Sequence, residues 1–575
     1  MRFFLLIFCL SLSIFSLPSF ADRPNVILIM TDDQGYGDLS CHGNPILKTP
    51  NLDRLHDESI RLTDFHVSPF CTPTRAALMT GRYPARTGAY RTSSGRTMMH
   101  TDERSIAHAF SDSGYVTGMV GKWHLGDSAP HRPQDRGFQD VVWHRCGGVG
   151  QASDYWGNDY FDDTYERNGK FEKFEGYCTD VWFEESIRFI EENKENPFFL
   201  YLATNAPHGP YLVDPSWSRP YTDNADWSQG DRFYGMIANF DHNLGLLRKH
   251  LYELGIADNT ILIFMTDNGT AQGGQFESLT SEAVKGFNAG MRGKKSSVYE
   301  GGHRVPFFIH WPDGGLTGGR DLDNLSAHLD VLPTLAALCG IKISTDNTLD
   351  GKSFARNLKD FQTLPHRESL VVQFQGGAYF KEQPKPWEFS CVLKKNWRLI
   401  NGKELYDLRK DPSQRDDIAA QYPNIVTEMR VLYMPFWESV SPRITPVSID
   451  LGNPTQNPTI LSSQDWYMPA GNPPWNFGAI RKLPRTTGPW KVNVKHGGRY
   501  RLTLRQWPKE AGKKVEAVRA KIQIAGQVHE SVVESGVEGV IFEIKLPAGK
   551  TELTTWLYDA KGEAGGAYFT EVEVL

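Results

Sequence analysis

The sequence has little cysteine and no excess of positive charge. Cysteine accounts for 7 of 575 residues, and 62 lysines and arginines are outnumbered by 68 aspartates and glutamates, which gives a formal net charge of −6. So little cysteine excludes a small scaffold held together mainly by disulfides. Because a general basic surplus is missing, neither nucleic acid nor an anionic membrane is expected as the main partner, and any anion must be bound at a local site.

Long hydrophobic runs are absent after residue 21. Residues 1–21 contain Arg2, an apolar stretch, and small residues at Ser19 and Ala21, which is typical of a cleaved signal peptide. A membrane anchor is the alternative, but serines and a proline interrupt the apolar stretch. We therefore expect a secreted or periplasmic protein, without stable membrane insertion after signal removal. In an oxidising compartment, a pair such as Cys146 and Cys178 could form a disulfide.

Apolar runs alternate with helical patterns over the first 360 residues. Near-continuous Val, Ile, Leu and Phe suit strands that are buried on both faces. Such runs occur at residues 25–30, 115–120, 198–203, 261–265 and 305–311. Helical patterns, for example at 180–193 and 231–255, lie between them. The alternation predicts an α/β catalytic domain over residues 22–362, with a doubly wound, mainly parallel sheet that binds ligands at the carboxyl ends of its strands.

The pattern changes after about residue 360. Short strand-like runs and a helix predict a small antiparallel subdomain over residues 363–440 that completes the catalytic fold. Residues 441–480 carry seven prolines and many Asn, Ser and Gly, which predicts an extended linker. Over residues 481–575, polar and apolar residues alternate with a period of two, which predicts an all-β, sandwich-like terminal domain.

Two similar loops follow two of the strongest predicted strands. TDDQG at 31–35 and TDNGT at 266–270 each place paired oxygen-bearing side chains directly after the strand. The four oxygen donors are Asp32, Asp33, Asp267 and Asn268. Hard oxygen ligands of this kind suit calcium or magnesium. The alternative is that the acidic residues only cap helices and solvate turns, but the recurrence after two strands favours a metal site.

The stretch CTPTR at 71–75 places Cys71 at the predicted start of a helix and Arg75 one turn into it. A helix N-terminus presents unpaired N–H groups, which lower the pKa of a thiol and favour a bound anion. The planar fork of Arg75 suits tetrahedral oxyanions. A buried cysteine with only a packing role is the alternative.

Several cationic side chains lie beside the predicted strand ends. They are Lys122 and His124 in GKWHLG, His208 in NAPHGP, and Lys295 and His303 in RGKKSSVYEGGHRVP. Any one of them alone is more often a solvated or packing residue. Together with the metal site, they predict a pocket for a small tetrahedral anion whose developing charge they would stabilise during transfer. The residues thus indicate hydrolysis of a sulfate or phosphate ester.

With these residues assembled, the sequence resembles the formylglycine-dependent sulfatases of the alkaline-phosphatase-like superfamily. CTPTRAALMTGRYP matches the Cys-x-Pro-x-Arg motif of that family, with Thr74 where serine is commoner. The motifs TDDQGYGDL, GKWHLG, APHGP, TDNG, YEGGHRVP and ELYDLRKDP follow in the order of the family. The resemblance covers roughly residues 22–440.

The resemblance implies that a separate maturation enzyme oxidises Cys71 to Cα-formylglycine, whose hydrated aldehyde attacks sulfur. It implies that Asp32, Asp33, Asp267, Asn268 and residue 71 hold one calcium ion, with magnesium less suited. It gives Arg75 and Lys122 the task of positioning the nucleophile and the sulfate, and His124 that of removing the hemiacetal proton. His208 and Lys295 would contact the sulfate and the leaving oxygen. Lys295 is preferred over Lys294 for its distance from YEGG, and His303 would lie in an outer shell or contact substrate.

Three functions compete at this point. The favoured one is an exported sulfatase that acts on sulfated polysaccharides or oligosaccharides, with small aryl sulfates as the alternative substrate. The second is a phosphoester or phosphonate hydrolase of the same superfamily. The third is a glycan-binding protein with a dead catalytic domain. Aromatic loops at 154–163 and 216–234 could line a sugar subsite, although such residues more often pack the loops themselves.

Overall fold

A computed structural model describes residues 23–575, except 226, 273, 277–282, 345, 362–365, 374–383 and 470. The proposed signal peptide lies outside the described residues. The centre of the described fold is a sheet of ten strands. From edge to edge these are Arg320–Leu322, Ile60–Leu62, Phe307–His310, Thr260–Thr266, Asn25–Thr31, Phe198–Ala203, Val116–Lys122, Asp140–His144, Thr164–Arg167 and Lys170–Lys173. The described helices are Pro50–Glu58, Cys71–Thr80, Pro84–Thr87, Ile106–Asp112, Cys178–Asn193, Pro215–Ser218, Gly230–Glu253, Glu300–His303, Val331–Cys339, Ala355–Asp360, Pro423–Val440 and Phe477–Ile480.

The middle of this sheet is parallel. Asn25–Thr31 pairs in parallel with Thr260–Thr266 on one side and with Phe198–Ala203 on the other. Every residue of Asn25–Thr31 is buried, and its side chains alternate between two hydrophobic clusters on opposite faces of the sheet. Helices thus cover both faces, as the near-continuous apolar runs predict. The predicted α/β class with a doubly wound, mainly parallel sheet is confirmed.

Two further layers follow the large sheet in the chain. A four-stranded antiparallel sheet is formed by Leu370–Gln373, Ser390–Lys394, Trp397–Ile400 and Glu404–Asp407. The helix Pro423–Val440 packs on it through Val426, Met429 and Tyr433. This arrangement matches the antiparallel unit that the sequence predicts after residue 360.

The last part of the chain forms two β-sheets that share one hydrophobic cluster. One sheet contains Ile449–Leu451, Trp490–Val494, Gly549–Tyr558, Arg519–Ile524, Gln527–Val532 and Ala564–Gly565. The other contains Thr459–Ser462, Phe569–Val574, Gly498–Arg505 and Val540–Leu546. Residues of both sheets, such as Val492 and Leu502, are fully buried in the same cluster. We call these two sheets with their connections the terminal β unit.

The interpretation of residues 441–480 as an extended linker is wrong. Ile449–Leu451 pairs with Trp490–Val494, and Thr459–Ser462 pairs with Phe569–Val574, so the segment supplies a strand to each sheet of the terminal β unit. Trp466, also in this segment, is fully buried. Its prolines lie outside the two strands, where their missing N–H groups remove no ladder bond.

The suggested disulfide between Cys146 and Cys178 is absent from the described residues, where all six cysteines are free. Both thiols are buried, and they have separate partners. The Cys146 thiol donates to Gln464, whereas Cys178 Sγ lies 3.6 Å from Asn205 Oδ1. Among the described residues, no helix combines the length and the apolar character that crossing a bilayer requires.

Candidate active site

The carboxyl ends of the central strands bring the two oxygen-rich loops together. Asp32 and Asp33 follow Asn25–Thr31, and Asp267 and Asn268 follow its neighbour Thr260–Thr266. The backbone N–H of Asp33 donates to Asp267 Oδ1 at 3.0 Å, and Asn268 Nδ2 donates to Asp33 Oδ1 at 2.9 Å. Asp33 adopts a left-handed backbone with φ of 68°, a conformation that costs of order 1 kcal/mol and is concentrated at functional sites.

The cluster fits a hard divalent cation. Asp32 Oδ1 and Asn268 Oδ1 are buried oxygens without a hydrogen-bond partner, which is an expensive state unless a ligand satisfies them. Ligand atoms of Asp32, Cys71 and Asp267 all lie within 4.8 Å of one another. Burial raises the pKa of Asp267 to about 7, and the negative charge of Asp32 adds to the shift. A cation bound among these oxygens would relieve that repulsion.

Three cations surround the three carboxylates. Arg75 Nη2 donates to Asp267 Oδ2 at 2.9 Å, Lys122 pairs with Asp32, and Lys295 Nζ donates to Asp33 Oδ2 at 2.7 Å. These six charges cancel, so a bound divalent cation would leave the cluster with two positive charges. Such a site attracts an anion such as a sulfate ester.

Cys71 is the first residue of the helix Cys71–Thr80 and is 2% exposed. Burial raises the pKa of its thiol to about 11, although Lys122 and Lys295 act in the opposite direction. This shift is opposite in direction to the lowering that the helix N-terminus predicts, and its main cause is desolvation of the thiol. The unmodified side chain is a neutral thiol at neutral pH and a poor nucleophile.

His124 lies beside the start of the helix Cys71–Thr80. Thr72 Oγ1 donates to the carbonyl oxygen of His124 at 3.2 Å. The ring nitrogen Nε2 lies 3.1 Å from the carbonyl oxygen of Thr92, which can only accept, so Nε2 carries the hydrogen. Burial and the charge of Lys122 lower the pKa of His124 well below its ordinary value, and Nδ1 has no hydrogen-bond partner. The imidazole thus presents a free lone pair on Nδ1.

His208 and Lys295 both lie beside Asp33. His208 Nδ1 donates to the Gly209 carbonyl oxygen at 2.6 Å, and Nε2 lies 3.7 Å from Asp33 Oδ2. Burial lowers the pKa of His208 to about 3, so its ring is neutral at neutral pH. Burial acts to lower the pKa of Lys295, but the nearby negative charges, chiefly that of Asp33, act more strongly in the other direction, so the pKa of this lysine is raised. Lys295 is therefore the charged donor of the pair.

His303 lies in a different buried cluster. Its Nδ1 is 2.9 Å from Nδ1 of His66, and its Nε2 donates to the Val298 carbonyl oxygen at 3.2 Å. The ring is fully buried, so the interpretation of His303 as a substrate contact is not supported by its position. The other predicted site residues lie around Cys71 and the two aspartate loops.

Sequence reasoning missed three neighbours of the site. The Tyr201 hydroxyl lies 3.3 Å from Arg75 Nη1. The one sequence feature that points to this residue is a hydroxyl group within the otherwise apolar run FFLYLA. The Phe70 ring lies 4.9 Å from Lys295 Nζ. Thr92 acts through its carbonyl oxygen, which no side-chain pattern reveals.

The aromatic loops mainly pack against protein. Tyr221, Trp227 and Tyr234 are buried in one local cluster. In the other loop, the Trp156 ring lies 4.5 Å from the Phe477 ring, and Tyr160 is fully buried with its hydroxyl on the His208 carbonyl oxygen at 3.0 Å.

Comparison with known proteins gives two family matches that together span residues 24–432. The sulfatase family matches residues 24–341, and the C-terminal region of N-sulphoglucosamine sulphohydrolase matches residues 292–432. Residues 433–575, which include the terminal β unit, lie beyond both matches.

Curated relatives and solved structures agree with these matches. Human N-acetylgalactosamine-6-sulfatase is 31% identical over 358 residues, which cover 57% of this chain and 64% of that protein. Human arylsulfatase A is 30% identical over 470 residues, which cover 72% of this chain and 88% of that protein. The structure of Ps i-CgsB in complex with k-i-k-neocarrahexaose is 28% identical, with a TM-score of 0.64, and covers 74% of this chain and 94% of that one. The sulfatase family matches more than half of the length of this chain, and the chain therefore belongs to the sulfatase family.

Proposed function

We propose that this protein is an exported sulfatase that hydrolyses sulfate esters of sulfated polysaccharides or oligosaccharides, with a formylglycine made from Cys71 and one bound calcium ion. The observation that carries the proposal is the buried cluster of Cys71, Asp32 and Asp267, with Arg75 and Lys122 in direct contact with its carboxylates. Cations, unpartnered oxygens and a residue for modification are what sulfuryl transfer needs in one place.

Asp32, Asp33, Asp267, Asn268 and residue 71 would hold the calcium ion. Their oxygens are hard ligands, and two of them are buried without a protein partner. Calcium, when bound, would supply Lewis-acid stabilisation of negative charge on the transferring group. Formylglycine, made by a separate maturation enzyme, would supply a hydrated aldehyde as nucleophile, which the neutral thiol of Cys71 cannot replace.

The remaining residues would bind the anion and move protons. Arg75 and Lys122, both fully buried, would orient the nucleophile and the sulfate. His124 would accept a proton at Nδ1, because its Nε2–H is held by Thr92. Lys295 would donate to the leaving oxygen, since it is the charged member of its pair with His208. His208 would orient the substrate as a neutral ring.

A saccharide is the proposed organic part of the substrate. The names of the similar proteins support this choice, since one is an N-acetylgalactosamine-6-sulfatase and another was solved with a carrageenan-type oligosaccharide. Small aryl sulfates are the alternative substrate.

The test is sulfate release from a panel of defined sulfated saccharides, with an aryl sulfate and an aryl phosphate in parallel. The enzyme is made together with a formylglycine-generating enzyme, and Cys71→Ala is the matched control. We expect release from at least one saccharide, slower turnover of the phosphate, and no release by the control. Faster turnover of the phosphate would favour a phosphoester hydrolase, and no release despite confirmed formylglycine would favour a binding protein with a dead site.

Export is proposed from residues 1–21. Intact-mass measurement of protein recovered from the periplasm or the medium of a bacterial host tests it. We expect the mass of a chain that starts at residue 22, after cleavage behind Ala21. Full-length protein retained in the cytoplasm would contradict the proposal.

A further inference from the structure

The terminal β unit reaches the surroundings of His124. The contacts come from a segment between its strands, residues 463–469 and 471–476, which we call the rim segment. This segment lies beyond residue 432, where the sulfatase family matches end. Two separate parts of the catalytic domain next to His124 rest on it.

The first part is the loop of residues 91–96, which contains the carbonyl group that binds His124. Ser94 N donates to the Gln464 carbonyl oxygen at 2.9 Å. Asn472 Oδ1 accepts from Arg91 Nη2 at 3.4 Å and from Ser93 Oγ at 3.3 Å. One amide oxygen of the terminal β unit thus holds the residues on both sides of Thr92.

The loop approaches the rim segment closely. Gly95 has a φ of +63°, and a Cβ atom there would lie 2.9 Å from the Asp465 carbonyl oxygen. Only glycine fits such a conformation and such a contact without strain. The Arg96 guanidinium lies 3.8 Å from the centre of the Tyr467 ring. These contacts hold the loop against the rim segment.

The second part is the turn at residues 146–147, which packs against the imidazole ring. A Cβ atom on Gly147 would clash with Cε1 and Nε2 of His124, so the turn backbone lies directly on the ring. The neighbouring Cys146 donates its thiol hydrogen to Gln464 Oε1. Gln464 is 2% exposed. It contacts the loop through its backbone carbonyl oxygen and the turn through its side-chain oxygen.

We propose that the terminal β unit positions the catalytic base: Asn472 and Gln464 hold the loop and the turn that fix the ring of His124 and leave its Nδ1 free to accept a proton. This inference rests on the proposed sulfatase function. The residues are positioning residues, because they act through Thr92 and Gly147 and do not touch the reacting atoms. A base that is held in one tautomer and one orientation keeps its reactive geometry, and a displacement of about 1 Å can cost about 100-fold in rate.

The terminal β unit is attached firmly enough to serve as such a support. Met98 and Ala152 of the catalytic domain are buried in the hydrophobic cluster of the terminal sheets. Ser128 Oγ donates to the Ile460 carbonyl oxygen at 2.8 Å, and Ala152 N donates to the Trp475 carbonyl oxygen at 2.9 Å. Functional geometry held by rigid elements is more precise than geometry held by a free loop.

The test compares variants of the full-length, matured enzyme on one saccharide sulfate that the wild type hydrolyses. Asn472→Ala removes the shared acceptor, Asn472→Asp keeps an acceptor oxygen, and Ser93→Ala removes one donor. Asn453→Ala is the matched control, because the Asn453 side chain bonds to Asp450 and Thr455 within the terminal β unit. Melting temperature and formylglycine content are measured for each variant.

We expect Asn472→Ala to lower kcat about tenfold or more with KM changed less than twofold, and Asn472→Asp to restore most of the loss. Ser93→Ala and Asn472→Ala should be less than additive in kcat, because both act on the same loop. Asn453→Ala should leave kcat unchanged. If Asn472→Ala folds poorly, the comparison of Ser93→Ala with Asn453→Ala carries the test.

An unchanged kcat in Asn472→Ala, an equal loss in Asn453→Ala, or full additivity with Ser93→Ala would overturn the inference. Each of these results can be obtained while the wild type releases sulfate, so they leave the proposed function intact. Failure of the wild type on every sulfate ester would instead overturn the proposed function.

Discussion

Arg75 donates through Nη2 to Asp267 Oδ2 at 2.9 Å and thereby joins the helix that begins at Cys71 to the strand end that carries the metal-site oxygens. Both side chains are fully buried. The other end of the same fork donates to the Lys122 carbonyl oxygen at 3.0 Å. One guanidinium thus fixes two strand ends relative to the helix that begins at Cys71.

Replacing Arg75 with methionine should therefore destabilise the protein and abolish activity. The substitution removes the main partner of the buried Asp267, and breaking a buried pair in this way typically costs about 3–5 kcal/mol. Urea unfolding in the absence of calcium measures the loss, and Arg54→Met on the surface is the control, because its pair with Glu58 is exposed. A loss below about 1 kcal/mol would mean that the Arg75–Asp267 pair does not organise the site.

Cys71→Ala should abolish sulfate release while the protein stays folded. Cys71 and alanine both fit the first turn of the helix Cys71–Thr80, and the deleted sulfur is small, so we expect a stability loss of about 1 kcal/mol. Circular dichroism checks the fold, and mass spectrometry of the peptide around residue 71 checks the modification in the wild type. Unmodified cysteine in fully active protein, or activity in the variant, would remove formylglycine from the mechanism.

Removing calcium should lower both activity and thermal stability. Chelation leaves Asp32, Asp33 and Asp267 facing one another, and a ligand present at 100 times its dissociation constant contributes about 2.7 kcal/mol to stability. Differential scanning calorimetry with added calcium or magnesium measures the effect, and calcium should restore more than magnesium. Asn268→Ala should reduce the calcium-induced shift, whereas Asn347→Ala should not, because the half-buried Asn347 donates to the Asp102 carbonyl oxygen and not to the metal-site oxygens. Identical melting curves with and without calcium would contradict a calcium site here.

Much of the fold and the site could be predicted because the signals are local. Asp32 and Asp267 follow strongly apolar strands, and neighbouring parallel strands bring their loops to one edge. Residues 441–480 resemble a linker because prolines lie between their short strands, whereas their pairing with Trp490–Val494 and Phe569–Val574 is non-local. For Cys71, the sequence reveals the helix start but not the burial that raises the pKa of its thiol. Asn472 carries no local signal, because the groups that its side chain contacts belong to Arg91 and Ser93 in a distant loop.

His303→Ala tests whether this histidine supports structure or binds substrate. His66 donates from Nε2 to Asp64 Oδ1 at 2.8 Å, and His303 donates from Nε2 to Val298, so the two Nδ1 atoms meet at 2.9 Å. Two lone pairs cannot face each other at that distance, so one ring must carry a second proton. Burial lowers the pKa of His303 to about 3.

The fully buried Arg398 pairs with Glu300 and Asp64 beside these two histidines. His303→Ala removes one partner of the buried Nδ1 pair and should cost about 1–3 kcal/mol of stability with kcat and KM nearly unchanged. His242→Ala, at an exposed position, is the control for both measurements. A raised KM without loss of stability would indicate that His303 contacts the substrate, because loss of such a contact weakens substrate binding and leaves the fold intact.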